Sequence, residues 1–236
     1  MILMTLSFAA MLGKGGRAES WMGLAVAPEL APSDSCPDYS KHESDYGYDR
    51  KGLLKRIRTA TGGDLYAPYT GRTFSDDSDV HVEHIVARKQ AHYSGLCLSE
   101  SVHRRKEFAS DPLNLTLAGK GVNQAKRECD ARTWVPPLNR CWFASRVIEV
   151  RKKYGLAIDE LERAALAKIL LHCNSEEMLM GRHLEPAVDP LVKWDADRNG
   201  QISCDELREK GVKSPIGPEH EAYPFVSDGN CDGKVC

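Results

Sequence analysis

The sequence predicts an α+β fold followed by a small loop-built module. Three observations carry this. Short β-branched and aromatic runs fall between Leu65 and Val86, helical signals dominate from Glu100 onward, and after Asn174 prolines break the chain into short pieces. The 236 residues hold one generous domain or a medium domain with an appendage. With 42% hydrophobic and 28% charged residues, wholesale disorder is excluded, and no apolar run reaches the roughly 18–20 residues that span a bilayer, so no stable membrane insertion is expected.

Residues 1–27 are expected as a leader: Met1–Leu12 is apolar, and Ala25-Val26-Ala27 offers an A-x-A cleavage site, although Lys14 and Arg17 follow the apolar run instead of preceding it. Residues 28–48 read as a linker. Leu53, Leu54 and Ile57 recur at helical spacing and Gly62-Gly63 stops them, which predicts a helix. Leu65–Phe74 suits a short hairpin and Val80–Val86 a strand. Asp159 with Glu162 three residues on opens a capped helix, whose stripe Leu161, Ala165, Leu166, Ile169 and Leu170 is expected in the core. A compositional boundary falls near Asn174, giving a central domain at 49–174, a linker at 175–190 and a tail at 191–236.

The net charge of −2 is a sum over unlike segments. From His81 to Gly155 there are 14 Lys/Arg and 7 Asp/Glu, whereas from Asn174 onward there are 7 and 13. The middle suits a polyanion and the tail suits cations. Eight cysteines, with no C-x-x-C pair, favour an oxidised extracellular protein over a zinc ribbon. Five precede Asn174 and three follow it, so one tail cysteine is left to cross to the central domain or to stay free.

Chemistry concentrates in DVHVEHIVARKQAHYSG, Asp79–Gly95, where His81, Glu83 and His84 sit in a β-branched run. Such polar groups on a buried face need partners. Downstream, DPLNLTLAGKGVNQAKRE contains Asn114, Asn123 and Lys126, the last two one helical turn apart. This ordered set resembles the HNH, or ββα-metal, endonucleases. The chain is similar to the secreted branch related to the nuclease part of modification-dependent restriction enzymes, which also shows Y-x-P-Y-T-G (here Tyr66–Gly71), Ser94-Gly95, W-x-P-P (Trp134–Pro137) and a helix ending in Cys173. The resemblance covers roughly Tyr48 to Cys173.

That resemblance implies His84 as general base, Glu83 and Asn123 as ligands of Mg²⁺ or Mn²⁺, Asn114 as the residue fixing the loop and orienting His84, and Lys126 as a phosphate contact. His81 is a supplementary ligand, a group behind the ligands, or a structural histidine. Adjacent strand residues point to opposite faces, so Glu83 and His84 can serve one phosphate only at a strand end, bulge or tight twist. His92, His103, His172, His183 and His220 read as surface or capping residues. The runs Arg104–Lys106 and Arg151–Lys153 suit either solvated faces or phosphate tracking, with little sequence preference. The sequon Asn114-Leu115-Thr116 reads as chance, because a glycan there would obstruct the site.

In the tail, Asp195, Asp197, Asn199, Gln201 (through its carbonyl), Ser203 and Glu206 stand at the ligand positions of an EF-hand loop, with Gly200 at the sharp turn. Asp228, Asn230 and Asp232, followed by Gly233, repeat the start of that pattern and mark a second, weaker Ca²⁺ site similar to short extracellular calcium modules. The leading expectation is a secreted HNH endonuclease acting on DNA, with RNA left open as a second substrate, and with a Ca²⁺-binding tail that stabilises it or attaches it to a cell surface. The alternatives are a calcium-dependent adhesion protein with a vestigial nuclease domain, and a secreted nuclease toxin.

Overall fold

The computed structural model describes residues 19–27, 30, 36–98, 101–181 and 189–236. Met1–Leu12, Lys14, Arg17, Pro28, Glu100 and His183 lie outside the described residues. The architecture is α+β, with small sheets and several helices.

Residues 19–27 belong to the fold. Strands β1 (Glu19–Trp21) and β2 (Leu24–Ala27) form a hairpin, and β2 pairs in parallel with β7 (Ile158–Asp159), burying Leu24. The A-x-A segment is therefore a central strand here, where the sequence suggested the end of a leader.

Helix α1 (Arg50–Thr61) starts where the Asp49 side chain accepts from Gly52 N at 2.9 Å, and it ends at Gly62 with φ 72°, a left-handed position that glycine takes without a Cβ clash. Its Leu54 joins Leu65, Val80, Val82 and Leu117 in a small core. Strands β3 (Leu65–Ala67) and β4 (Arg72–Phe74) form the expected hairpin, pairing Leu65 with Phe74.

Strand β5 (Val80–His84) pairs antiparallel with β6 (Leu115–Gly119), from Val80 opposite Gly119 to His84 opposite Leu115. Between them the chain inserts α2 (Arg88–Tyr93) and α3 (Val102–Ser110), and directly after β6 comes α4 (Lys120–Lys126). Two strands and a helix thus bring Glu83, His84, Asn123 and Lys126 together from segments about 40 residues apart.

Helices α5 (Arg140–Tyr154) and α6 (Glu160–Leu170) complete the central part. Asp159 caps α6 as expected, accepting from Glu162 N at 2.8 Å. The α6 stripe differs: Leu166 is buried but Leu161 is 60% exposed, and the buried neighbour is Glu162, paired with Arg151 at 2.6 Å. A strong charge partner inside outweighs one apolar contact. Arg105 is likewise buried against Asp45 at 3.0 Å, so neither basic run is wholly a solvated or phosphate-tracking face. His92 is buried too, with Nδ1 beside Tyr46 Oη at 3.0 Å and Nε2 beside Pro37 O at 2.8 Å, a core residue and not a surface one.

The tail, α7 (Pro190–Trp194) and α8 (Cys204–Glu209) with their loops, shares the main apolar core, where Trp194, Ile202, Tyr223 and Phe225 join Val122, Trp134 and Phe143. Asn174 is a charge boundary but not a packing boundary. Cys36–Cys97 and Cys141–Cys173 lie in the central part, Cys204–Cys236 in the tail, and Cys129–Cys231 crosses between them. One tail cysteine does cross.

The tightest junction is at Gly121 of α4. A Cβ there would lie 2.0 Å from Gly200 O and 2.8 Å from Gln201 N, so only glycine lets the helix touch that backbone. Gly121→Ala is expected to destabilise the protein by about 1–3 kcal/mol through overpacking, read as a lower midpoint in urea.

Candidate active site

His84 is the last residue of β5, so the strand-end solution to the Glu83/His84 geometry is the one adopted. Beyond it the chain bends, and both side chains border one cleft of about 270 Å³, shared with Tyr48, Arg88, Asn123 and Arg127.

The His84 ring is fixed by one main-chain group. Nε2 lies 2.9 Å from Ala109 O, and a carbonyl only accepts, so Nε2 carries the proton and Nδ1 keeps its lone pair. Burial pushes the His84 pKa down to about 4, with the Ala109 carbonyl opposing the shift and Arg88 and Lys126 adding to it. The imidazole is therefore neutral at pH 7 and able to accept a proton. Tyr48 stands edge-on to it, ring centroids 5.0 Å apart.

Asn114 is fully buried and clasps the residue two beyond His84: Val86 N donates to its Oδ1 at 2.8 Å and its Nδ2 donates to Val86 O at 3.2 Å. Ile85 N donates to Asn114 O at 2.9 Å. These bonds hold the segment that follows β5. Its burial leaves no room for a sugar on the sequon.

Lys126, expected as a phosphate contact, is directed inward. Its ammonium is buried, 2.6 Å from Glu83 Oε1 and donating to His84 O at 3.1 Å. A charge this deep needs a partner nearby, and Glu83 and the strand end supply it. Lys126 thus ties α4 to β5.

Burial raises the pKa of Glu83, and Lys126 offsets this. Although Lys126 lies close, Glu83 Oε1 has no aligned hydrogen-bond donor. Asn123 Nδ2 donates to His81 Nδ1 at 2.8 Å. Glu83 and Asn123 both border the cleft, and a carboxylate and an amide oxygen are ligand types that a hard divalent cation takes. His81, held by Asn123, is not among the residues that border the cleft.

A second donor cluster lies in the loop between α7 and α8. Ligand oxygens of Asp195, Asp197 and Glu206 fall within 4.8 Å of one another. Main-chain donors hold them: Gly200 N on Asp195 Oδ2 at 2.8 Å, Gln201 N on Asn199 Oδ1 at 2.8 Å, and Ala196 N on Glu206 Oε1 at 2.6 Å. Ser203 forms a capping box with Glu206. Burial and neighbouring acids raise the pKa of Asp195. The second loop copies this geometry: Gly233 N bonds Asp228 Oδ2 at 2.9 Å, Lys234 N bonds Asp232 Oδ1 at 2.8 Å, and Gly200 and Gly233 share φ +84°. Asn230 Nδ2 donates to Asp232 Oδ2 at 3.0 Å, and Asp228 Oδ1 is buried without a hydrogen-bond partner. Among the described residues, the carboxylates of the first loop form a group that could hold a metal ion, whereas in the second loop Asp228 Oδ2 also accepts from Tyr223 Oη at 2.8 Å.

Sequence reading missed the Ala109 carbonyl, because a main-chain acceptor leaves no residue signature. It also missed Tyr48, Arg88 and Arg127 as cleft residues, since only folding brings them beside His84.

No family model matches the chain and no solved structure matches it. A curated protein of Arthroderma benhamiae named "Uncharacterized secreted protein" is 35% identical over 118 residues, 48% of this chain and 57% of that protein. The chain thus spans somewhat more than half the length of that relative. No helix among the described residues is long and apolar enough to cross a membrane.

Proposed function

We propose that the protein is an extracellular, metal-dependent endonuclease of the HNH type, hydrolysing phosphodiester bonds of DNA with little sequence preference. Four disulfides and the likeness to a secreted protein support the compartment. The observation that carries the activity is a neutral, carbonyl-oriented His84 beside the buried Glu83 carboxylate, on a two-strand and helix unit pinned by Asn114.

In this reading His84 Nδ1 accepts a proton from water as the water oxygen bonds to phosphorus and the bond to the leaving oxygen breaks. Glu83 and Asn123 would hold Mg²⁺ or Mn²⁺, whose charge stabilises the phosphorane and the leaving oxygen. Lys126 favours the ionised form of Glu83 against its burial and holds it in place, and His81 orients Asn123. The reading is tested by degradation of plasmid DNA with Mg²⁺ or Mn²⁺, wild type against His84→Ala. Equal cleavage by the two would refute it.

The tail is assigned Ca²⁺ at Asp195, Asp197, Asn199, Gln201, Ser203 and Glu206, with a weaker site at Asp228, Asn230 and Asp232. Because the first loop rests on α4 at Gly121, its role is to stabilise the site-bearing helix. At a hundredfold excess over its dissociation constant, Ca²⁺ is expected to stabilise the protein by about 2.7 kcal/mol. Glu206→Gln should abolish most of that thermal shift in calorimetry with Mg²⁺ held constant. No Ca²⁺-dependent shift in the wild type would remove the assignment.

A further inference from the structure

The residue after Lys126 is held in a conformation that its type disfavours. Lys126–Cys129 form a tight turn, closed by Cys129 N donating to Lys126 O at 3.0 Å. Arg127, at the first central position, has φ 51° and ψ −129°. These are the angles of a type II′ turn, a place that calls for glycine because a Cβ is crowded there.

The surroundings impose the turn from both sides. Arg127 N donates to Asn123 O at 3.0 Å, ending α4, and two residues on the buried Cys129 is bonded to Cys231. Arg127 is exposed on this strained backbone and borders the cleft together with Glu83, His84 and Asn123. Lys89, also at the cleft, is engaged by Glu128 at 2.7 Å, whereas no carboxylate partners Arg127 among the described residues. Arg88 at the start of α2 borders the same space.

We propose that Arg127 binds a phosphate of the substrate strand in this cleft, the role expected of Lys126. The inference rests on the hydrolase reading and adds the residue that grips the polyanion. A guanidinium offers paired donors matching phosphate oxygens, and its position on a fixed turn limits the freedom lost on binding. A glycine would relax the turn, and the arginine persists at a strained site of the kind that structures retain for function.

The opposite signs of two effects make the test. Arg127→Gly should raise the thermal midpoint by about 2–4 °C, because the strain is relieved. The same change should weaken binding of a short fluorescein-labelled DNA duplex roughly tenfold, read by anisotropy in the His84→Ala background so that turnover cannot interfere. Arg127→Lys should retain part of the affinity. A lowered midpoint, or unchanged duplex binding, overturns the proposal. Failure of the hydrolase reading is seen separately: a wild type that binds duplex without cleaving it sinks that reading while the Arg127 comparison still decides, and a wild type that does not bind duplex sinks both.

Discussion

His84→Ala is expected to reduce DNA cleavage by about 10²–10⁴-fold at saturating Mg²⁺, the range associated with loss of a general base. The reduction should fall on kcat, because the lost interaction belongs to proton transfer and not to binding. The ring lies within the site wall and, among the described residues, its polar bond is to Ala109 O, so removing it leaves a small gap and one carbonyl without that partner. Circular dichroism and the Ca²⁺-dependent thermal shift should therefore stay close to wild type. His84→Gln tests the same point without the gap, because its amide can still donate to Ala109 O yet cannot serve as a base. Retention of more than about a tenth of wild-type kcat in both variants would be incompatible with the assigned role.

The largest stability effect is expected at Arg151. Its guanidinium is buried, bonding Glu162 Oε2 and Ala157 O at 2.6 Å each and Ser94 Oγ at 3.1 Å. Arg151→Met leaves Glu162 buried and alone, which should cost about 3–5 kcal/mol, whereas Arg151→Met with Glu162→Leu should recover much of the loss. The pH dependence has a definite sign. Burial raises the folded pKa of Glu162 to about 7 despite Arg151, above its ordinary value of 4.5. The folded state therefore holds a proton more tightly than the unfolded chain does. Stability from this group is fully present below about 4.5 and declines as pH rises toward 7, and the decline extends further in Arg151→Met, where the opposing cation is gone. Urea titrations from pH 5 to 8 should show the single variant losing ground to wild type as pH rises. A constant difference across that range would refute the account.

Much of the fold was legible in the sequence because it is locally encoded. Asp49 and Gly62 bound α1, Asp159 caps α6, and turn residues close the Leu65–Phe74 hairpin, all through contacts within a few residues. The order of Glu83, His84, Asn114 and Asn123 was equally readable, since a motif needs only residue types and spacing. Disulfide pairing was not, because which sulfur meets which depends on the path of the whole chain.

What the sequence determined by itself was therefore the inventory: an α+β chain, a basic middle, an acidic tail, one His-and-acid cluster and two oxygen-rich loops. The tertiary structure decided how that inventory is used. It buried Lys126 against Glu83 and left Arg127 at the cleft, because a turn at the end of α4 separates two neighbouring cations by burial. It made Leu24–Ala27 a strand, and it joined tail to centre through Cys129–Cys231 and Gly121. Local sequence specifies propensity and charge, whereas burial and partner choice depend on segments distant in the chain that meet only when the core forms.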